Sequence, residues 1–303
     1  KPFYHYKPGT QVLSVGTPGC NFSCLNCQNH DLSQAKNQIS NTSSNYLEPE
    51  KIAALADEHN VDGIAYTYSE PTIFFEYVND IIEACRRNPN LERLPQMLVS
   101  NGYFSKELFD YIEKHKLIDA INIDLKFMNE SKYKRICGAK LQPVLDNIER
   151  IYNSKNGIHL EIINLVIPGE NDSDHDFQAV ADYIKSISPD IPLHFSRFHP
   201  TYKMADKPAT DIQRLLKAKE IAQKAGINYV YIGNTGLSEV SDTRCPHCGE
   251  LLIARDRYSE IKSHLGNKGI SKCPQCEKDI NIILCKEYSS CKFIIFLYFQ
   301  NEH

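Results

Sequence analysis

The chain lacks an excess of basic residues and a long apolar run, and each absence narrows the class of protein. Its formal net charge is −4, so bulk electrostatics gives no footprint for nucleic-acid binding. The longest apolar run, 293–299, is far too short to cross a bilayer. That run is β-prone and uncharged, which makes it either an additional strand or an aggregation liability.

The amino terminus lacks the features of a secretory leader. The chain opens at Lys1 rather than at methionine, and no basic segment followed by an apolar one comes next. We therefore expect a trimmed or incomplete chain. Its 303 residues, 42% hydrophobic and 24% charged, suit a soluble globular protein with one large domain or one large and one small domain.

Cysteine, by contrast, is abundant, with eleven residues. In a small secreted protein this number would indicate disulfides, but here most cysteines fall into clusters in a long chain without a signal peptide. The distribution predicts metal binding in a reducing cytosol, and hence a cytoplasmic protein.

The densest cluster is formed by Cys20, Cys24 and Cys27, with the spacing Cys-x3-Cys-x2-Cys. A tetrahedral zinc site takes four ligands, usually as two pairs. Three thiolates in one tight loop instead suit a 4Fe–4S cluster in which one iron has no protein ligand. Such an open iron can bind a substrate or cofactor.

Strand-like and helix-like segments alternate from about residue 11 to residue 234. Strands are predicted at 11–17, 63–69, 96–102, 120–126, 159–168, 192–199 and 229–234, and helices at 48–60, 71–88, 105–116, 142–154, 174–188 and 211–225. Residues 31–46 are polar and predicted to be a loop. The alternation predicts an α/β fold, a partial (β/α)6 TIM-like barrel with its chemistry at the carboxyl ends of the strands.

Two further cysteine pairs follow residue 240. Cys245 and Cys248 form the first pair, and Cys273 and Cys276 the second, with 24 residues between the pairs. They predict a four-cysteine site for zinc, with an auxiliary iron–sulfur cluster as the alternative. So small a domain would need the metal to fold. The predicted units are a core barrel (1–236), a zinc-ribbon-like domain (237–281) and a tail of unassigned role (282–303).

Four cysteines receive no ligand role. Cys85 and Cys137 are predicted to be packing residues, and Cys285 and Cys291 are left over.

Polar residues follow the predicted strands at their carboxyl ends. Glu70 follows the second strand, either as an acceptor for an ammonium group or as a favourable charge at the helix start. Ser100 and Asn101 end the third strand, where a plain Asn-Gly turn is the alternative. Asp124 and Lys126 end the fourth, two residues apart and therefore on the same side. His199 ends the sixth, although a lone histidine is more often structural.

The spacing of Cys20, Cys24 and Cys27 resembles the signature of the radical S-adenosylmethionine (radical SAM) superfamily. That superfamily usually has an aromatic residue before the third cysteine, where this chain has Asn26. Glu70 stands where the superfamily has a Gly-Gly-Glu-Pro-like segment that holds the methionine amino group. The two glycines are replaced here by Tyr68 and Ser69.

Later motifs resemble the glycyl-radical activating enzymes of this superfamily. The run 100–102 resembles their Thr-Asn-Gly, with Val99 where they have Asp, and 165–172 resembles their Val-Pro-Gly segment. The run 124–126 resembles an Asp-Leu-Lys that lies against the methionine carboxylate and the substrate, and His199 matches a histidine beside the ribose. The resemblance implies catalytic roles for Asp124 and Lys126. It implies a SAM-binding set of Glu70, Ser100, Asn101, Asp124, Lys126 and His199.

The order of motifs along the whole chain is similar to that of the AmmeMemoRadiSam-system radical SAM enzymes, homologues of pyruvate formate-lyase activating enzyme. The motifs lie at 12–17, 20–29, 198–202 and 245–249. Members usually carry an additional cysteine-bearing segment upstream of the point where this sequence starts. The resemblance implies Memo-like and AMMECR-like partner proteins.

The resemblance also implies a reaction. A ferredoxin- or flavodoxin-type donor would reduce the cluster, and SAM would be cleaved to a 5′-deoxyadenosyl radical that abstracts hydrogen from a substrate. Three function classes stay open: a radical SAM enzyme acting on a protein, including a glycyl-radical activase; one acting on a small molecule; and a non-catalytic iron–sulfur and zinc scaffold. The charge and the strand-end motifs disfavour the scaffold.

Overall fold

A parallel sheet forms the centre of the molecule in the computed structural model, which describes residues 3–35, 46–237, 239–255, 261–265 and 272–284. Its seven strands follow one another in chain order, and every neighbouring pair is parallel. The strands are β1 (Val12–Val15), β2 (Gly63–Tyr66), β3 (Gln96–Ser100), β4 (Ala120–Asp124), β5 (His159–Val166), β6 (Leu193–Arg197) and β7 (Val230–Gly233). Because β1 and β7 are the two edges among the described strands, the sheet is open, as the prediction of a partial barrel requires.

Eight helices cross over between the strands or extend their loops in the described residues. They are α1 (His30–Ser33), α2 (Pro49–Glu58), α3 (Phe75–Arg87), α4 (Lys106–His115), α5 (Glu130–Lys132), α6 (Gln142–Tyr152), α7 (Asp174–Ile187) and α8 (Ile212–Ala225). Ser105 caps α4 by accepting a hydrogen bond from the Leu108 amide, as predicted. Gly226 ends α8 with a φ of 104°, a conformation that favours glycine.

One predicted loop is partly wrong. Residues 31–46 were expected to lack regular structure, but α1 (His30–Ser33) forms a single turn at their start. A helix of four residues is too short to show a 3.6-residue repeat of apolar positions. Residues 36–45 of that loop lie outside the described residues.

The core lies between the sheet and the helices that cover it. All four residues of β2 and all five of β3 are buried, as expected for strands covered on both faces. Cys85 and Cys137 are both buried in this core, with relative exposures of 1% and 0%. The prediction that they are packing residues fits their burial.

A smaller antiparallel unit follows the large sheet. It contains β8 (Thr243–Arg244), β9 (Leu251–Arg255) and β10 (Ile261–Ser263). It has its own apolar cluster, which includes Leu252, Ile253 and Ile280. Of the predicted tail, residues 285–303 lie outside the described residues, and with them Cys285, Cys291 and the apolar run 293–299.

The amino-terminal segment connects the two units, which sequence analysis did not predict. Phe3 and Tyr6 pack against Met97 and Ala120 of β3 and β4. On the other side, the Lys7 amide donates to the Ile283 carbonyl at 2.7 Å. None of the described helices is long and apolar enough to span a membrane.

Candidate active site

The loop that carries Cys20, Cys24 and Cys27 connects β1 to α1 at the carboxyl edge of the sheet. The Gly19 amide donates to the Leu32 carbonyl at 3.0 Å and closes the loop on itself. The Ser23 amide donates to the Cys137 carbonyl at 3.0 Å and fixes the loop to a π-helical turn at Tyr133–Cys137. The loop is therefore held from two sides.

Gly138 permits this close approach. Its φ is 69°, and a Cβ atom placed on it would clash with Ser23 Oγ. A side chain at this position would therefore strain the backbone and displace the Ser23 hydroxyl. Tight π turns of this kind often occur at functional sites.

Hydrogen bonds connect the cysteine loop to Glu70. Asn101 Nδ2 donates to Asn21 Oδ1 at 2.6 Å, and the Asn101 amide donates to Glu70 Oε2 at 2.8 Å. Ser100 Oγ donates to Glu70 Oε1 at 2.7 Å, and Thr72 Oγ1 donates to the same atom at 2.8 Å. The structure thus brings together the predicted Glu70, Ser100 and Asn101. It adds Asn21 and Thr72, which sequence analysis missed.

The Glu70 carboxylate is buried, with a relative exposure of 1%. Burial raises its pKa above the ordinary range, although the hydrogen bonds from Asn101, Ser100 and Thr72 oppose that shift. A carboxylate that is held in place and kept from water is suited to bind a cationic group.

Asp124 and Lys126 form an ion pair at the end of β4. Lys126 Nζ lies 2.8 Å from Asp124 Oδ2, and the two side chains are 16% and 20% exposed, respectively. Burial alone would lower the pKa of Lys126, but the Asp124 carboxylate and the nearby Cys24 and Cys137 together outweigh burial and raise it. Lys126 therefore remains an ammonium ion.

Glu70 and Lys126 both act electrostatically on the cysteine loop. Burial raises the pKa of Cys20 to about 12, the Glu70 charge acts in the same direction, and the Lys126 charge opposes both. Cys20 therefore lies within electrostatic reach of Glu70 and Lys126. The structure gathers five of the six residues of the predicted SAM-binding set around this loop: Glu70, Ser100, Asn101, Asp124 and Lys126.

His199 is the sixth residue of that set. It follows β6, as predicted, but it is exposed, and its Nε2 atom lies 3.4 Å from the Asn234 carbonyl oxygen. Its role in binding SAM stays a prediction.

The surroundings of the cysteine loop fit a bound cluster. Two of its three thiols have a polar partner beside them: the Phe22 amide donates to Cys20 Sγ at 3.3 Å, and Ser33 Oγ lies 3.0 Å from Cys27 Sγ. Thiolate ligands accept such bonds. In the described chain, Asn26 Oδ1 and His30 Nδ1, both near this loop in sequence, are buried without a partner. Such orphaned polar atoms fit a site that receives a further group.

The four cysteines of the smaller unit form a tighter group. Their sulfur atoms all lie within 4.8 Å of one another, and among the described residues no other group of three or more Cys, His, Asp or Glu ligand atoms is gathered as closely. Cys245 Sγ lies 3.7 Å from Cys276 Sγ, and Cys248 Sγ lies 3.6 Å from Cys273 Sγ. The predicted pairs thus converge on one point, as a four-cysteine metal site requires.

An open parallel α/β sheet with three cysteines and a buried carboxylate at its carboxyl edge defines a class of iron–sulfur enzymes. Comparison with known proteins identifies the family, because residues 14–184 match the Radical SAM superfamily. The chain belongs to this superfamily, which confirms the resemblance that the cysteine spacing indicated. It is a radical SAM enzyme, and membership implies SAM and a 4Fe–4S cluster as cofactors.

Two relatives from Methanocaldococcus jannaschii cover most of the chain. An uncharacterized protein is 38% identical over 286 residues, which are 94% of this chain and 81% of the relative. A second protein, provisionally named a glycyl-radical enzyme activating enzyme, is 30% identical over 230 residues, 75% of this chain and 80% of the relative. In fold, the chain is similar to a radical SAM methyltransferase from Sphaerobacter thermophilus. That structure has a TM-score of 0.58 at 15% identity, covering 80% of this chain and 71% of the other.

Proposed function

We propose that Cys20, Cys24 and Cys27 hold the 4Fe–4S cluster and that the enzyme acts on a polypeptide partner. Cys20, Cys24 and Cys27 would hold a cluster that, once reduced by an external donor, would pass one electron to bound SAM, whose C5′–S bond would break to give methionine and a 5′-deoxyadenosyl radical able to take a hydrogen atom from a substrate C–H bond. The observation that carries this proposal is the hydrogen-bonded connection from the cysteine loop through Asn21 and Asn101 to Glu70.

The chain's own residues bind and orient SAM in this proposal. Glu70 accepts a hydrogen bond from the methionine ammonium group, and Ser100 and Asn101 hold the carboxylate in position for it. Lys126, fixed by Asp124, pairs with the methionine carboxylate. The opposite charges of Glu70 and Lys126 match the ammonium and carboxylate groups of an amino acid.

Zinc is the metal that we propose for the four-cysteine site. Four thiolates about 2.3 Å from a tetrahedral ion lie roughly 3.8 Å apart. The separations of 3.7 Å and 3.6 Å between paired sulfur atoms agree with this spacing. An auxiliary cubane cluster would hold its cysteines further apart than a single ion does.

A glycyl-radical enzyme is the polypeptide that we propose as one substrate class. The supporting observation is the 30% identity with a relative whose provisional name is glycyl-radical enzyme activating enzyme. Memo-like and AMMECR-like proteins are the alternative partners, and a ferredoxin or flavodoxin is the proposed electron donor. Metal-type cysteine motifs support a cytoplasmic location. Membership in the superfamily favours an enzyme over a non-catalytic scaffold.

Deuterium transfer tests the proposed substrate class. Candidate partner proteins are labelled with deuterium and incubated anaerobically with the reduced enzyme and SAM. A polypeptide substrate places deuterium in 5′-deoxyadenosine. Transfer from small-molecule extract, with none from any protein fraction, would overturn the proposal.

Glu70→Gln tests the proposed SAM site. Loss of a hydrogen bond to a charged group costs about 1.5–3 kcal/mol, so SAM should bind about 10- to 100-fold more weakly. Glu76→Gln is the matched control, because Glu76 is an exposed acid on α3. Equal SAM affinities for the Glu70 variant and the wild type would exclude this role.

A further inference from the structure

Ser33 contacts a cluster cysteine from outside the three-cysteine motif. Its hydroxyl oxygen lies 3.0 Å from Cys27 Sγ, and the residue is buried, with a relative exposure of 3%. It occupies the last position of α1, the helical turn that sequence analysis predicted to be a loop.

Hydrogen-bond donors and acceptors around Ser33 fix the direction of this contact. Gln34 Nε2 donates to Ser33 Oγ at 3.3 Å and also to the Phe22 carbonyl at 3.1 Å. A hydroxyl group has one proton and can accept as well. Because a ligating thiolate has no proton to donate, Ser33 must donate to Cys27 when the cluster is bound.

We propose that Ser33 is a positioning residue that raises the reduction potential of the cluster through Cys27. This inference rests on the proposed cluster at Cys20, Cys24 and Cys27. Reduction adds one electron, and hence negative charge, to the cluster and its sulfur ligands. A donor aimed at a ligand sulfur stabilises that added charge, and hydrogen bonds to sulfur are among the factors that set cluster potentials. Burial strengthens the effect, because the surrounding dielectric constant is low.

Cys20 has a donor of a different kind. It accepts from the Phe22 amide at 3.3 Å, a backbone bond that a side-chain change leaves in place. The Ser33 hydroxyl can therefore be removed by substitution while the bond to Cys20 is kept.

Redox titration of the iron-loaded, full-length enzyme, followed by electron paramagnetic resonance, tests the inference. Ser33→Ala should keep its core iron but become harder to reduce. The one-electron equilibrium with a fixed donor should shift roughly tenfold, or about 59 mV, toward the oxidised cluster. Ser33→Thr retains the hydroxyl and should keep the wild-type potential. Ser188→Ala, at a buried serine that accepts from the Asp190 amide, is the matched control.

Each outcome of this titration is decisive. A Ser33→Ala enzyme with full core iron and an unchanged potential overturns the role of Ser33 and leaves the cluster assignment intact. Absence of core iron from the wild type overturns the cluster itself. If Ser33→Ala alone fails to load iron, Gln34→Ala decides, because it removes the amide that orients the hydroxyl. A smaller shift in the same direction supports the role, and a wild-type potential in Gln34→Ala contradicts it.

Discussion

The two cysteine sites differ in how closely their thiols are gathered. In the smaller unit, four sulfur atoms lie within 4.8 Å of one another and face a common centre. In the barrel, Cys20, Cys24 and Cys27 are not gathered as closely. Two of them contact other groups instead, Cys20 the Phe22 amide and Cys27 the Ser33 hydroxyl.

This difference separates a closed metal site from an open one. Four protein ligands fill a tetrahedral ion, which leaves no position for a substrate and suits a structural role. Three ligands supported by a surrounding shell of donors leave one iron of a cluster open. Charged side chains differ in the same direction, because Glu70 and Lys126 both lie within electrostatic reach of Cys20, as a site for a charged ligand would require.

Cysteine replacement in each site gives the largest expected effect. Cys24→Ala should remove the core iron and all SAM cleavage while the smaller unit keeps its zinc. Cys248→Ala should remove the zinc while the core keeps its iron. Iron and zinc are measured in both proteins by elemental analysis. Loss of both metals from either variant would show that the two sites are not independent.

Removal of zinc should also loosen the amino-terminal segment. Glu161 accepts from the Tyr4 and His5 amides at 2.9 Å and 2.8 Å, and Arg255 of β9 donates to the Tyr4 carbonyl at 2.8 Å. We expect the smaller unit to need the proposed zinc to fold, so chelation should remove the Arg255 contact. We expect at least tenfold faster hydrogen exchange at the Tyr4 and His5 amides. Unchanged exchange there, with zinc gone, would contradict this coupling.

His5 should make this junction sensitive to acid. Its side chain bonds to the Tyr231 hydroxyl at 2.6 Å and to the Asn281 carbonyl. Burial lowers its pKa from 6.5 to about 3, although Glu161 opposes the shift. The unfolded chain therefore binds a proton that the folded chain excludes, so stability is complete above pH 6.5 and falls as the pH decreases toward 3.

Stability measurements on His5→Gln isolate the contribution of His5 to the pH dependence of unfolding. From pH 7.5 to pH 5.5, the contribution of His5 to the free energy of unfolding should decrease by about 1.4 kcal/mol. This amount corresponds to one pH unit below 6.5, the pKa of the histidine in the unfolded chain. The difference in unfolding free energy between wild type and variant should shrink by that amount. The pKa of Glu161 is held well below its usual range, and its contribution is lost only at still lower pH. A constant difference across the two pH values would refute the assignment.

The two turns of the four-cysteine site offer the smallest effect. Gly249 follows the first cysteine pair with a φ of 78°, and Glu277 follows the second with a φ of 60°. Both amides donate to the backbone carbonyl of the first cysteine of their pair at 2.9 Å. Because positive φ strains a residue other than glycine, Glu277→Gly should cost little or stabilise by up to about 1 kcal/mol. The converse change, Gly249→Glu, should destabilise the unit, and thermal unfolding of the two variants measures the contrast.

Local sequence patterns were sufficient to predict the strands of the large sheet. Each predicted strand overlaps an observed one, and the observed strands are one to three residues shorter at one or both ends. For β3 and β4 the missing carboxyl-terminal residues include Asn101 and Lys126, whose side chains form part of the site. The spacing of the cysteines was equally informative, because metal ligands close in sequence leave a fixed signature.

Contacts between distant parts of the chain were not predictable in this way. Ser33 lies on a single helical turn with no periodic pattern, and Asn21 acquires its partner only because β1 and β3 end at the same edge. The amino-terminal segment meets Glu161 across more than 150 residues. Sequence spacing contains no signal for such pairs, since they depend on how the sheet is assembled.

Formation of 5′-deoxyadenosine tests the central claim most directly. The reconstituted enzyme, its Cys24→Ala variant and its Cys248→Ala variant are reduced anaerobically with SAM, and the product is quantified. The account predicts 5′-deoxyadenosine from the wild type and from Cys248→Ala, and none from Cys24→Ala. No product from a fully iron-loaded, reduced wild type, or equal product from Cys24→Ala, would contradict it.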